Sequence, residues 1–377
     1  MAEPSFNRPY GPVTLAELTA GLVWPRLFRS FVLSVRPSRV ALGTLTVLAM
    51  WGLALLIGWL SEPASPSGKR PQGIGERVML DIADGVAGMA AGAVSLDTRG
   101  VKDSFELART ALTIHADRWG LLAVTLLVLL PVWLVGGAAI SRGAALEVAG
   151  DVEAGMGRCL VFGVRRMGTL MRAVLLPVVI AAAVSLILKA AGWALFSLPG
   201  LSMVGALLYP LALLAGLFAT LVWLGFIFGK ALLVPAIAVE NAGAMDAVQR
   251  AYSYVLGRPG RTVAYMAVLA AIGCVGLVFI AWLVKSSHTV ADVALSAWLS
   301  PEREAVVMKP GDGQSLTSGT LWMWGRLLVF VVAGWATSFY FTGSTLLYLL
   351  LRRVLDEQDI SEVWMPGMVG GTMAKKA

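Results

Sequence analysis

Residues 204–228, VGALLYPLALLAGLFATLVWLGFIF, decide the class of protein to which this chain belongs. The segment contains no charged side chain, and as a helix it would be about 37 Å long at 1.5 Å per residue. A helix needs about 20 apolar residues to cross the ~30 Å hydrocarbon core of a bilayer. The segment therefore predicts a transmembrane helix.

The composition extends this prediction to the whole chain. Of the 377 residues, 58% are hydrophobic and only 14% are charged, and the mean hydropathy is +0.77. Soluble domains carry about 25% charged residues, so the composition excludes an ordinary soluble enzyme. We predict an all-α integral membrane protein with one membrane domain, in which six spans form three tandem hairpins. The predicted spans are 40–60, 120–140, 173–193, 204–228, 262–284 and 321–351.

Lysine and arginine are distributed unevenly between the segments that flank these spans. One set of alternate segments carries 18 of them and the other set carries 10. Because cationic flanks tend to stay in the cytoplasm, we predict that both termini are cytoplasmic, in the inner membrane of a bacterium. The predicted cytoplasmic segments are 1–39, 141–172, 229–261 and 352–377, and the longer external segments are 61–119, which is a small helical loop, and 285–320.

The net charge of +7 predicts a partner for the cytoplasmic side. In a soluble protein such an excess is typical of nucleic-acid binding, but here the basic residues lie beside apolar spans, so anionic lipid headgroups are the predicted partner. The segment 13–35 begins with a capping box, Thr14 and Glu17, and predicts an amphipathic helix in the headgroup region. Alternatively, the arginines only orient the protein. The candidate lipid contacts are Arg29, Arg36, Arg39, Arg158, Arg165, Arg166, Arg250, Arg258 and Arg261.

Two kinds of segment recur on the predicted cytoplasmic side. One has an apolar triplet, a small residue and a basic turn, and the other ends a span at a glutamate. The recurrence predicts three tandem units, each with an interfacial helix and a hairpin; alternatively, membrane interfaces select these residue types without any repeat. The first kind lies at 31–39, 160–168 and 254–261, and the second at 143–147, 236–240 and 353–357.

Four short stretches carry a family resemblance. They are GGAAISR at 136–142, ALE at 145–147, PAIAVEN at 235–241 and AYSYVLGRP at 251–259. With them the chain resembles a group of uncharacterised bacterial polytopic membrane proteins, and the last stretch is similar to the membrane domain that accompanies some glycerophosphodiester phosphodiesterases. The resemblance implies a multihelical membrane domain, and it carries over no catalytic residue.

Side chains that perform hydrolytic chemistry are scarce in this sequence. The two histidines, His115 and His288, each have an aspartate nearby, Asp117 and Asp292. Such a pair on a surface helix is typically a solvated one. We find no phosphate-binding glycine loop and no metal-ligand spacing, and two cysteines are too few for a disulfide framework. We predict neither an enzyme nor a cofactor.

Ionisable residues inside spans typically mark a transport pathway. Only Lys189 and Arg326 lie within the predicted spans, both near external ends, where long side chains reach the headgroups. Pro131, Pro177 and Pro210 interrupt three consecutive spans; the carbonyls that they free either face a cavity, which favours a pathway, or are tolerated without a function. The last span also carries a stripe of small and hydroxyl residues, which either packs against a neighbouring helix or lines a path. The stripe consists of Gly334, Ser338, Thr342 and Thr345.

These features favour a non-enzymatic multipass membrane protein, a scaffold or accessory in lipid or envelope processes. Its predicted partners are anionic lipids and an unidentified membrane protein. The spans without ions and the repeated basic segments are the basis for this prediction. The alternative is a transporter or channel for a neutral or amphipathic solute, which the prolines and the stripe of the last span favour.

Overall fold

Long helices account for most of the computed structural model. It describes residues 24–61, 99–100, 102–103, 106, 119–150, 155–197, 201–300 and 316–371. A 3-10 turn at Trp24–Phe28 leads into α1 (Arg29–Ser34). The remaining helices are α2 (Pro37–Ser61), α3 (Trp119–Gly150), α4 (Met156–Ser197), α5 (Ser202–Glu240), α6 (Ala244–Gly257), α7 (Pro259–Ser296) and α8 (Leu316–Leu355).

Six of these helices, α2, α3, α4, α5, α7 and α8, are long and apolar enough to cross a membrane. This confirms the prediction of an all-α protein with six candidate spans. The most apolar windows of α3 and α8 are 44% buried, against 11% for those of α5 and α7. Therefore α3 and α8 form the centre of the bundle, while α5 and α7 present apolar residues such as Leu207 and Val275, respectively, to the surroundings.

The helices extend beyond the predicted spans. With 42 residues, α4 is about 63 Å long, roughly twice the thickness of the hydrocarbon core. In the segment 141–172, where a separate interfacial helix is predicted, α3 continues to Gly150 and α4 begins at Met156. A continuous helix pairs its own backbone groups through the interface, so no break is needed there. In 229–261, by contrast, α6 is a separate helix that buries Ala247, Ala251 and Tyr254.

Two glycines bring α2 and α8 into backbone contact. A Cβ atom on Gly43 would overlap the carbonyl of Gly334, and one on Gly334 would overlap Thr44. Small residues allow helices in a membrane to approach this closely. Residues Phe31, Trp335 and Phe339 pack beside this crossing.

The helix ends of the predicted cytoplasmic segments meet at one end of the bundle. Arg39, near the start of α2, pairs with Glu147, near the end of α3, and Arg142 of α3 reaches the end of α5 at Ala238, with a hydrogen bond of 2.9 Å. We call this the basic end. Most of the predicted helical loop at 61–119 and the capping box at Thr14 lie outside the described residues.

Candidate functional site

The last residues of the described chain turn back against the basic end. We call residues 356–371 the tail. The Trp364 amide donates to the carbonyl of Val239, with an N···O distance of 2.8 Å, and the Gly371 amide donates to the carbonyl of Glu240, at 2.9 Å. These bonds attach the tail to the C-terminus of α5.

Each of the last carbonyls of α5 accepts a hydrogen bond from a donor outside the regular helix, because a helix leaves these groups without partners of its own. Asn241 has left-handed backbone angles, with φ 55°, and its amide caps Ile237. The next three carbonyls accept hydrogen bonds from the Arg142 guanidinium, the Trp364 amide and the Gly371 amide, in that order. The carbonyl of Asn241 accepts one from the Arg166 guanidinium, at 3.1 Å. Two arginines therefore lie at the negative end of the α5 dipole, where cations are favoured.

A buried carboxylate organises the centre of the basic end. Glu240 is 1% exposed, and it accepts a hydrogen bond of 2.6 Å from the hydroxyl of Tyr348. Arg352, which is fully buried, lies 3.4 Å from the same carboxylate oxygen. Arg250 forms an ion pair with the other oxygen, without hydrogen-bond geometry. We call these four residues the Glu240 cluster.

The Glu240 cluster is connected to the tail and to α6. Arg352 donates to the carbonyls of Asp359, at 2.8 Å, and Glu362. The hydroxyl of Tyr254 in α6 donates to the Asp356 carboxylate, and the ring of Tyr254 packs against that of Tyr348, with 5.6 Å between centroids. The Glu240 cluster thus links α5, α8, α6 and the tail.

Two pKa values outside the spans follow from these contacts. Burial, together with the hydrogen bond to Asp356, raises the pKa of the Tyr254 phenol, which therefore remains a donor. Burial lowers the pKa of the Arg250 guanidinium, but the negative charge of Glu240 more than offsets this, so the pKa lies above its usual value. Tyr254 and Arg250 therefore keep the protons with which they contact Asp356 and Glu240.

A second buried ion pair lies nearby at the start of α2. Arg39 is 4% exposed, and its guanidinium binds Glu147 and the carbonyl of Leu33. Arg36 reaches the same carboxylate from the surface, at 2.8 Å. Glu147 thus joins the ends of α2 and α3, as Glu240 joins those of α5 and α8.

A groove opens between the first turns of α4 and the tail, with a volume of about 480 Å³. Arg158, Arg165 and Arg166 of α4 line it on one side, and Trp364 and Pro366 of the tail line it on the other. We call it the arginine groove. It combines guanidinium groups with apolar walls.

The nine arginines predicted to contact lipid differ in their burial and in their partners. Arg39 is buried and binds protein groups, so its predicted lipid contact is wrong. Arg36 and Arg250 are engaged with carboxylates. The remaining six are exposed, except for Arg166, which is half-buried; they are Arg29, Arg158, Arg165, Arg166, Arg258 and Arg261. The arginine groove unites three of them.

The hydroxyl stripe of the last span lies in the interior of the bundle. Gly334 packs against Thr44 of α2, and the Ser338 hydroxyl donates to the carbonyl of Ser34, at 2.9 Å. Thr345 donates to Phe341 within α8, at 2.7 Å. Thr342 is also fully buried, and its hydroxyl has no hydrogen-bond partner among the described residues. The contacts of the stripe are those of helix packing.

Of the two candidate catalytic pairs, the structure describes only the one in α7. His288 and Asp292 of α7 lie 2.7 Å apart with both side chains about half exposed, and His115 and Asp117 lie outside the described residues. Both cysteines are free. Within the described part of the chain, no three side chains of the metal-ligating types come together.

Sequence reasoning missed the most connected residues of the basic end. Arg142 and Glu240 were within the stretches that carry the family resemblance, but no partner was assigned to either. Tyr348 and Arg352 lie at the end of the last span, where a basic residue resembles an ordinary anchor. One sequence signal could have pointed to these residues: the stretches 143–147 and 236–240 each end a span at a glutamate, and a glutamate there needs a cationic partner when it is buried.

The six apolar helices make this chain a multipass membrane protein. Comparisons with protein-family models, with curated proteins and with solved structures found no match.

Proposed function

We propose that this chain is a non-enzymatic scaffold or accessory protein of lipid or envelope processes in a bacterial cytoplasmic membrane. In this proposal its basic end and both termini face the cytoplasm, where 18 lysines and arginines flank the spans, against 10 on the other side. Anionic lipids and a membrane protein are its proposed partners. We also propose that it is related to the membrane domains that accompany glycerophosphodiester phosphodiesterases.

The packing of the hydroxyl stripe is the observation that carries the proposal. Gly334 and Ser338 contact α2 and the α1 segment directly, so the stripe holds helices together. The buried charges of the basic end bind one another and backbone carbonyls. A bundle built in this way is a rigid support that presents apolar faces to the membrane and arginines to its surface.

A transporter or channel for a neutral or amphipathic solute remains the second candidate. The buried Thr342 hydroxyl, which has no hydrogen-bond partner in the described part of the chain, favours this function, since a polar group in a pathway would be solvated. The prolines give the transporter or channel weaker support than Thr342 does, because they do not face the same way. Pro177 is buried, whereas Pro210 lies on an exposed face of α5. Three prolines around one cavity would all face inward.

Purification of the full chain in native nanodiscs, followed by mass spectrometry of the accompanying lipids and proteins, tests the proposed function. We expect anionic phospholipids to be enriched over the bulk membrane, together with a membrane protein in a fixed ratio to the chain. The matched control is an unrelated multipass protein purified from the same cells. Lipid of bulk composition and no protein in a fixed ratio would contradict the proposal.

A further inference from the structure

The arginine groove has walls from two different elements, and a buried arginine fixes their spacing. The guanidinium carbon of Arg142 lies 5.3 Å from the ring centroid of Phe162 in α4 and 5.5 Å from that of Trp364 in the tail. The same guanidinium donates to the carbonyl of Trp364 at 2.6 Å. Because Arg142 is 5% exposed, these contacts hold both aromatic walls from behind. The groove is therefore built before any ligand enters.

The electrostatic character of the groove is cationic. Arg158, Arg165 and Arg166 line it, and none of its lining residues in the described part of the chain is acidic. Arg142 adds a positive charge behind the wall, and it donates hydrogen bonds to the carbonyl oxygens of Ala238 and Trp364. Arg166 uses one nitrogen for the carbonyl of Asn241, and a guanidinium carries five N–H donors. Donors thus remain for an anion.

The shape and position of the groove narrow the class of anion. Guanidinium groups bind phosphate oxygens in pairs, which favours phosphate over a compact halide. Val161 and Pro366 add apolar wall beside the charges, as suits a phosphate joined to carbon. Arg166 lies seven residues before the predicted span at 173–193, about 10 Å along α4, so the open rim faces the headgroup layer.

We propose that the arginine groove binds a phosphate-bearing anion, carried by a phospholipid headgroup or by a soluble phosphate. The site deepens the proposed function and rests on it for the membrane setting. It assigns Arg158, Arg165 and Arg166 as ligands of the anion. Arg142 is a positioning residue, because it acts through Phe162 and Trp364.

Native mass spectrometry of the full chain in detergent, titrated with phosphatidylglycerol, tests the site. The groove variant is Arg158→Gln with Arg165→Gln; both side chains are exposed, so we expect the fold to stay intact. The matched control is Arg172→Gln with Arg353→Gln, which removes the same charge from exposed residues that lie outside the groove and are not among the predicted lipid contacts. We expect the dissociation constant of the first bound lipid to rise at least about tenfold in the groove variant, and to change little in the control.

Equal weakening in both variants would overturn the site, because the arginines then attract lipid only through overall charge. An unchanged affinity in the groove variant would overturn it as well. A third variant, Trp364→Ala, removes a wall without removing charge and keeps the backbone bond to Val239. It should weaken the first lipid but leave the binding of later lipids unchanged.

Competition identifies the carrier of the phosphate. If inorganic phosphate displaces the first phosphatidylglycerol, the phosphate group alone is recognised and a soluble ligand fits the site. If phosphatidylglycerol is retained while phosphatidylcholine does not bind, the ligand is an anionic lipid. Should the groove and control variants behave alike while native nanodiscs of the unaltered chain still enrich anionic lipid, the site fails and the proposed function stands.

Discussion

Replacing Glu240 by glutamine is expected to lower the free energy of unfolding by about 3–5 kcal/mol, the usual cost of removing one partner from a buried ion pair. Glu240 is 1% exposed, and the neutral amide leaves Arg352 fully buried without an anion. Arg250 loses its carboxylate partner at the same time. Unfolding of the purified protein by heat or by a denaturing detergent, compared with the unaltered chain, measures the loss.

The control for this prediction is Asp292→Asn, which breaks an ion pair that is exposed to solvent. His288 and Asp292 are about half exposed, and such pairs contribute about 0–1 kcal/mol. The two variants change charge equally, so a difference in stability between them reflects burial. If E240Q is as stable as the Asp292 variant, the Glu240 cluster does not hold the basic end together.

Replacing Gly43 by leucine is expected to separate α2 from α8 and to cost about 3 kcal/mol, the upper part of the range for overpacked interiors. Even a Cβ atom at Gly43 would overlap the carbonyl of Gly334. The obstacle is backbone, so no side-chain rotation can relieve it. A lower midpoint of thermal unfolding and less folded protein in the membrane are the expected observations.

Gly52→Leu provides the matched control on the same helix. A Cβ atom on Gly52 would meet nothing within 4 Å, and the residue is exposed. This variant should retain the stability of the unaltered chain, because glycine-to-leucine replacement favours a helix when space allows. Equal stability of the two variants would contradict the close contact between α2 and α8.

The spans could be predicted from sequence because the property that defines them is local. A run such as 204–228 is apolar throughout, and the bilayer selects it by length and composition alone. Helix ends were less predictable. The N-terminal turns of α4 carry Arg158, Arg165 and Arg166, which in a sequence look like a segment outside the span, yet the backbone continues as one helix from Met156.

The partners of individual charges could not be predicted, because they depend on contacts between distant parts of the chain. Arg36 and Arg39 lie one helical turn apart and look alike as interfacial arginines. The structure exposes the first and buries the second against Glu147. Glu240 and Arg352 are separated by 112 residues and meet only when α5 and α8 pack.

The arginine groove shows the same limit. Its three arginines lie on one helix and were candidates for lipid contact, but Trp364 and Pro366 come from a tail with no hydropathy signal. The tail is held by the free carbonyls at the end of α5, a requirement of helix ends. Which segment meets that requirement is decided by the fold.

Labelling of a cysteine at Ser338 tests most directly the proposal that the hydroxyl stripe packs between helices and does not line an aqueous path. Ser338 is fully buried and bonds to the carbonyl of Ser34. The background replaces both native cysteines with alanine, and the control is Ser361→Cys in the exposed tail. The reagent is a maleimide that does not cross membranes, applied to intact cells and to inside-out vesicles.

We expect the cysteine at Ser338 to remain unlabelled from either side, and the cysteine at Ser361 to react in inside-out vesicles but not in intact cells. Labelling at Ser338 from either side, at a rate comparable with that at Ser361, would contradict the packed bundle and favour a transport pathway. Labelling at Ser361 in intact cells would contradict the cytoplasmic placement of the basic end.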